Sequence, residues 1–522
     1  MNIEDATGPG VDPRLVKCLR SWGINTLTDV QIRALNAGIA NGCSMIVSAP
    51  TSTGKTLIGE IAVLTALQKR VRTIYLVSHK ALADQKYLDF VLRFGEKASD
   101  PIASVGLNTG DRVEGEIDAQ LMVATYEKAL GLILAGQLKP DDVLVVADEL
   151  QILGEQNRGP EIETLCAMFR QRGIKQFVAL TATVENPEDL SGWMCCELVK
   201  SFHRDVPLHQ QIWYAKRVFQ TTFGQEEGQE LDLEMLPSLD IIGVVKQLLD
   251  FGRGPVLVFT ESRREATDYA LSFGRSRPRV GEGIVLAEQL DLFSEPTESS
   301  EQLRENAERR VAFHSADLSP QERQVIEAGF LGSKFEVCFA TSTLAAGVNF
   351  PFRSIVFPKL TFQWGDRAGS QLPRADYRNM SGRAGRLGMH VDGYAVLLPR
   401  NEVEFAHAKR LVAPTNDHLS SHLVALSLRK TILMLVASGL ASSFDEVIAF
   451  FRETLYWYQT LERNPSMLAS LQTKSQAAIQ WLIQYGLLRE EGRVLLVTQL
   501  GKGTALSGLL PTTAVKFAEM FR

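Results

Sequence analysis

The sequence predicts an α/β chain: two tandem domains built on parallel sheets, followed by a mostly helical domain of winged-helix type. Three observations predict it. From residue 44 to about 200, short and nearly continuous apolar runs alternate with amphipathic helical segments. The same alternation restarts at Pro255, and from about residue 401 the spacing of apolar residues becomes helical. Strands buried on both faces read as unbroken apolar runs, the mark of a parallel sheet covered by helices.

In order, the first domain (1–205) carries the strand candidates "SMIVS", "TIYLVS", "LMVAT", "VLVVA" and "QFVALTA". A polar stretch near 201–238, including "QTTFGQEEGQE", separates it from the second domain (206–400). There "PVLVFTES", "RVAFHS", "EVCFATS", "SIVFPK" and "GYAVLLP" are strands between helices. Residues 274–308 interrupt this pattern with a basic "GRSRPRVGEG" and then "EQLDLFSEPTESSEQLRE". This segment reads as a mobile insert, with an ordered helical insert as the alternative. In 401–500, "LVALSLRKTILMLVASG" and "AAIQWLIQYG" have helical spacing, and Gly486 precedes two short strands around Glu-Gly in "LLREEGRVLLVTQLG". Helices followed by a hairpin suggest the winged helix. Residues 501–522 read as helix, the start of a further helical domain.

A length of 522 residues fits three or four domains at roughly 150 residues each. With 45% hydrophobic and 22% charged residues, the composition is that of a globular protein. The net charge of −6 excludes a global basic field, though not a basic groove. Six scattered cysteines contain no C-x-x-C pair and read as reduced thiols. "MNIEDATGPG" lacks the apolar core of a secretory signal, and no run approaches the ~18 apolar residues of a membrane span. A cytoplasmic protein without a membrane partner is expected.

"APTSTGKT", residues 49–56, lies between an apolar run and a helical pattern. A phosphate loop needs that context: its backbone N–H groups and the following helix N-terminus hold phosphates, a lysine reaches the β/γ-phosphates, and a hydroxyl meets Mg²⁺. Gly54, Lys55 and Thr56 supply the tail, and Ala49 replaces the usual first glycine. "VLVVADELQ" puts Asp148 and Glu149 at a strand end. An acid there can hold Mg²⁺ while its neighbour orients the attacking water; alone, the pair reads equally as a helix start. In "RNMSGRAGR", Arg383 and Arg386 share one face if the segment is helical, as arginine fingers in cis or as a basic surface turn.

In motif order from about residue 20 onward, the chain resembles superfamily two helicases, and specifically the Ski-two-like branch that includes archaeal repair helicases and the helicase part of polymerase theta. The motifs are "LTDVQ", "SHKALADQK", "NTGD", "ATYEK", "DELQ", "TAT", "FTES", "HSADLSPQER", "ATSTLAAGVNFP" and "RNMSGRAGR", with Asn379 where the family has glutamine. The resemblance implies RecA-like domains with ATP and Mg²⁺ between them. Gln31 reads adenine; Ala49, Pro50, Thr51, Ser52, Thr53, Gly54, Lys55, Thr56 and Gly347 line the nucleotide; Thr56 and Asp148 hold the metal; Lys55, Asp148, Glu149, Arg383 and Arg386 are catalytic. It implies a nucleic-acid strand tracked along its backbone by Lys80, Thr109, Gly110, Thr125, Thr260, His314 and Thr341. Taken singly, these are ordinary cap or turn residues, and His314 is equally a strand-end histidine.

The interval 353–375 corresponds to the family's strand-separating hairpin. Phe362 and Trp364 alternate there, free to stack on a base pair or to pack on the domain's own core. The implied activity is an ATP-dependent helicase and translocase on single-stranded or tailed DNA, moving 3′ to 5′. An RNA helicase of the same branch, and an ATP-gated sensor controlling a partner such as a nuclease, stay open. The family's ratchet domain would begin where this chain stops, which leaves room for a protein partner through that region.

Overall fold

The computed structural model describes residues 2–225, 228–231, 240–291, 297–315, 317–341, 351–362, 368–414, 417–461 and 463–520. The chain divides into two units. The first comprises Met1–Ala49, Lys55–Ser201 and His418–Arg522, and the second Pro50–Gly54 and Phe202–Asp417.

The first unit is built on β1 (Met45–Ser48), β2 (Thr73–Val77), β3 (Val105–Asn108), β4 (Val113–Glu114), β5 (Leu121–Thr125), β6 (Leu144–Ala147), β7 (Gln176–Thr181) and β8 (Glu197–Lys200). They form one sheet in the order β4-β3-β5-β2-β6-β7-β1-β8. Every pairing is parallel except β3 with β4. Strand side chains alternate between faces. Ile46, Ile74 and Leu76 therefore enter one core, and Val47, Tyr75 and Val77 the other. Helix Lys55–Gln68 covers the second of these faces, with Ile58, Ile61, Ala62 and Val63 fully hidden.

Residues 418–522 do not keep a core to themselves. Helix Leu428–Ala437, helix Phe444–Phe451, helix Leu468–Gln484 and the antiparallel pair β17 (Leu488–Glu491) and β18 (Val494–Val497) continue the core that contains Ile46 and Ile74. Helix Gly159–Arg172 is the seam. Its Glu163 accepts from Tyr456 N at 2.8 Å and from Ser421 Oγ at 2.6 Å, and Lys430 Nζ pairs with Glu161 at 2.5 Å. Tyr456, Trp457 and Tyr458, an aromatic run that invites a base-stacking reading, are half-buried against this core.

In the second unit the strands are β9 (Leu208–Tyr214), β10 (Arg217–Thr222), β11 (Gln229–Leu231), β12 (Val256–Thr260), β13 (Val311–His314), β14 (Val337–Thr341), β15 (Ser354–Phe357) and β16 (Gly393–Leu397). The order is β11-β10-β9-β16-β15-β12-β14-β13. β9, β10 and β11 are an antiparallel meander on the edge, and the rest pair in parallel.

Three parts depart from the sequence expectation. The polar stretch 201–238 was expected as a break, yet residues 208–231 give three strands. Their glutamines are internal: Gln211 donates to Gln220 at 2.7 Å and accepts from Trp213 Nε1 at 3.0 Å, while Gln210 accepts from Tyr377 at 3.0 Å. Amides that satisfy one another inside a sheet hide the apolar alternation of a strand. The interruption 274–308 contains helices Gly281–Asp291 and Glu298–Ala307 rather than a mobile insert. Leu286, Ala287, Leu290, Leu303 and Ala307 bury themselves in the second unit's core. The helix Glu402–Val412 also belongs there, through Ala408, Leu411 and Val412, so the helical C-terminal part of the first unit begins at His418 rather than near 401.

Candidate active site

In the first unit, the neighbours β2, β6, β7 and β1 end on the same edge, because parallel strands share one carboxyl edge. Lys55 and Thr56 open helix Lys55–Gln68 just after β1. The Lys55 ammonium donates to Ala49 O, and Ala49 N donates to Thr181 O at the end of β7 at 3.2 Å. Asp148 follows β6 and is 7% exposed. Burial, then the adjacent Glu149 carboxylate, push the Asp148 carboxyl up to about 6, against a lowering pull from Lys86 and Lys55. The Tyr75 hydroxyl donates to Asp148 Oδ2 at 3.0 Å, and Glu149 N donates to Asp148 Oδ1 at 3.0 Å.

Glu149 has a left-handed φ of 57°, a strained conformation for a non-glycine residue. It is fixed from outside: Gln151 Nε2 donates to the Glu149 carboxylate, and Gln151 Oε1 accepts from Ala182 N at 2.8 Å. The "DELQ" and "TAT" motifs are thereby joined by one amide side chain.

Gln31 is buried on helix Asp29–Asn36, and its side-chain oxygen accepts from Thr28 N at 2.9 Å as half of a capping box. That cap fixes where the amide lies. Among the described residues no group of three or more His, Cys, Asp or Glu could hold a metal ion by itself. A single buried carboxylate and a helix-opening hydroxyl at the same strand edge fit Mg²⁺ arriving with nucleotide phosphates, which would complete its oxygen shell.

Pro50–Gly54 group with the second unit. Thr53 Oγ1 donates to Pro50 O at 2.9 Å, and both Ser52 and Gly54 have left-handed φ, 62° and 78°. Such turns aim successive N–H groups into one concavity suited to anions. Ser52 Oγ donates to Gly382 O at 3.3 Å within this unit. Of the helix and turn readings of the segment 383–386, the structure has the turn: helix Arg374–Ser381 ends at Gly382, and the two arginines occupy the irregular turn beyond. Gly385 has φ +68°, and a Cβ there would sit 2.7 Å from the Gly393 backbone, so the turn closes too tightly to continue a helix. The arginines still lie near each other: burial and then the Arg383 charge bring Arg386 down to about 10.

The expected strand-tracking residues fall on two strand-end sets. In the first unit Lys80, Thr109, Gly110 and Thr125 follow β2, β3 and β5, which are adjacent in the sheet. Lys80 is exposed and paired with Asp111; Thr125 caps helix Tyr126–Leu134, accepting from Lys128 N at 3.4 Å. In the second unit Thr260, His314 and Thr341 end β12, β13 and β14, again adjacent. His314 is buried, and desolvation then Arg323 lower it to about 4, so it offers no positive charge near neutral pH. Gly347 and Trp364 lie outside the described residues. Phe362 is described: its N donates to Ser370 O at 2.9 Å, its O accepts from Gly369 N at 2.8 Å, and its ring packs on the second core.

Sequence reasoning missed Tyr75, Gln151 and Arg158. Arg158 pairs with Glu127 at 2.7 Å and donates to Ser78 O, joining the segments that carry Lys80 and Thr125. Neither Tyr75 nor Arg158 belongs to a recognisable short motif. Gln151 stood inside "DELQ", where its spacing of two from Glu149 was the available signal.

Residues 28–190 match the family model of the DEAD/DEAH box helicase, and residues 276–388 that of the helicase conserved C-terminal domain. The chain is similar to the ATP-dependent DNA helicase Hel308 of Pyrobaculum calidifontis, 31% identical over 529 residues that cover 98% of this chain and 72% of the relative. It is similar to the protein of the same name from Thermoplasma volcanium, 30% identical over 92% of this chain and 68% of the relative. For the Caldivirga maquilingensis protein of that name the figures are 30%, 99% and 68%.

Proposed function

Because this chain belongs to the Hel308 family of ATP-dependent DNA helicases, in the Ski-two-like branch of superfamily two, we propose that it uses ATP to move along and unwind tailed DNA. The observation that carries the reading is the shared strand edge of the first unit, where Lys55, Asp148, Glu149 and Ala182 meet at the ends of β1, β6 and β7.

The roles follow from the chemistry. Loop N–H groups around Ser52–Gly54 and the Lys55 ammonium bind the phosphates, and Gln31 orients the base. Mg²⁺, held by the Asp148 carboxylate and the Thr56 hydroxyl, would neutralise charge on the β- and γ-phosphates. Glu149 holds the attacking water and accepts its proton, while Gln151 keeps the carboxylate in place. Arg383 and Arg386 act as arginine fingers in cis, stabilising charge that grows in the transition state. Through Gln151 and Ala182, movement of Glu149 on hydrolysis reaches the end of β7, a route from chemistry to strand movement. Lys80, Thr109, Gly110, Thr125, Thr260 and Thr341 hold the sugar–phosphate backbone with small hydroxyls and N–H groups, which explains nucleic-acid binding by a chain of net charge −6. Movement is 3′ to 5′, residues 418–522 act as a winged helix, and the protein works in the cytoplasm. Among the described residues no helix is long and apolar enough to cross a membrane.

The test is ATP turnover without polynucleotide, with single-stranded DNA and with RNA. Stronger stimulation by DNA is expected. Stronger stimulation by RNA would make it an RNA helicase of the same branch, and no stimulation by either would overturn the reading.

A further inference from the structure

Arg204 lies in the extended segment between β8 and β9 and is 6% exposed. Its Nη2 donates to three backbone carbonyls of one turn: Gly382 at 3.3 Å, Gly385 at 3.1 Å, and Ala384. Among the described residues no carboxylate pairs with it, and burial alone lowers it to about 10. A buried cation without a counter-ion is costly, and an apolar side chain of equal volume would avoid that cost. What an apolar side chain could not do is donate to three carbonyls of the turn that follows helix Arg374–Ser381.

Those carbonyls bracket Arg383 and directly precede Arg386. The same turn is held from its other sides. Gly385 N donates to Phe352 O at 2.9 Å, and Gly393 N, beside the turn, donates to Pro207 O at 2.8 Å, three residues after Arg204. Within the turn, Arg383 N and Ala384 N donate back to Met380 O at 3.2 Å and Ser381 O at 3.0 Å, so the backbone is fixed from the helix side as well.

We propose that Arg204 is a positioning residue for the arginine pair: by gripping the carbonyls of Gly382, Ala384 and Gly385 it sets the direction in which Arg383 and Arg386 leave the backbone. This rests on the reading of Arg383 and Arg386 as phosphate-facing groups. All three bonds leave from the one nitrogen Nη2. A lysine ammonium also carries three donors, but on a tip that is shorter and differently directed, so lysine reproduces these contacts only in part.

The test is a double-variant cycle in the full chain, reading kcat and KM for ATP with saturating single-stranded DNA, with melting temperature as a control. Arg204→Gln should lower kcat about ten-fold while KM stays within about two-fold, because binding survives and transition-state alignment does not. Arg204→Lys should recover only part of the loss. In an Arg386→Ala background, Arg204→Gln should cost much less than in the wild type, since the group it aims is already gone. Full multiplication of the two losses, or a loss carried by KM, would overturn the positioning role. If Arg386→Ala alone leaves turnover intact, the arginine reading itself falls, and the two failures are told apart by that single variant. Should Arg204→Gln not fold, Arg204→Lys runs the same cycle, with a loss of about three-fold expected in place of ten.

Discussion

Tyr75 reaches Asp148 from inside the first unit's core, its hydroxyl donating to Oδ2 at 3.0 Å. Burial and the Asp148 charge push the Tyr75 hydroxyl well above its ordinary range, so it stays a donor throughout physiological pH. A hydrogen bond to a charged group contributes about 1.5–3 kcal/mol. Tyr75→Phe keeps the ring in the core and removes only that bond. Asp148 should then be held less firmly for the metal. Half-saturating Mg²⁺ in ATP turnover is expected to rise about three- to ten-fold, and an unchanged Mg²⁺ titration would remove Tyr75 from the site.

Lys55 opens the helix behind the phosphate loop, with its ammonium on the loop carbonyl of Ala49. Lys55→Ala should abolish nearly all ATP turnover and leave nucleotide-free binding of single-stranded DNA in place. That binding should weaken with salt, since phosphate contacts release counter-ions. Wild-type turnover in Lys55→Ala would mean that the nucleotide binds elsewhere.

Asp148 and Glu149 should separate metal binding from chemistry. Glu149→Gln preserves shape and the contact with Gln151 but cannot accept a proton, so ATP should bind and persist unhydrolysed while the protein holds DNA. Asp148→Ala should weaken nucleotide binding and its Mg²⁺ dependence together. Equal and mild effects, read by nucleotide-binding and turnover assays, would leave "DELQ" as only a strand end.

How far the sequence alone carried this picture depends on where each signal was stored. The parallel strands were legible because β1, β2, β5, β6 and β7 are unbroken apolar runs, and the candidate phosphate loop because residues 49–56 are adjacent in sequence between a strand and a helix. The edge meander was not legible, because Gln210, Gln211 and Gln220 occupy its interior and pair with one another or with Trp213 and Tyr377. The helices within 274–308 were masked by their charge, although Leu286, Leu290 and Leu303 carry the burial. The shared core of residues 418–522 and the first sheet is a long-range fact with no local signature. The same holds for Arg204, which meets its carbonyls about 180 positions away. The arginine segment was left open between helix and surface turn, since Gly382 and Gly385 permit both, and the left-handed Gly385 against the Gly393 backbone makes it a turn.

That seam also holds a titrating group. Glu163 is 1% exposed, and burial raises its carboxyl to about 7, against the lowering effect of Ser421 and the Tyr456 amide. Its folded pKa lies above the unfolded value of 4.5, so the folded state retains the proton that the unfolded chain loses. Stability is therefore full below about 4.5 and falls as pH rises to about 7, by an amount on the order of 3 kcal/mol. Glu163→Gln removes the titration and keeps an acceptor. The melting temperature of the wild type should drop more between pH 5 and 8 than that of Glu163→Gln, and parallel pH profiles would contradict this.

Strand displacement tests the central claim most directly. The full chain would be mixed with ATP, Mg²⁺ and a duplex carrying either a 3′ or a 5′ single-stranded tail, and release of the labelled strand followed. The account predicts release that requires ATP, is absent in Lys55→Ala, and is faster from the 3′-tailed duplex. Robust DNA-stimulated ATP turnover with no strand release from either duplex would contradict it, and would leave an ATP-gated sensor of DNA in its place.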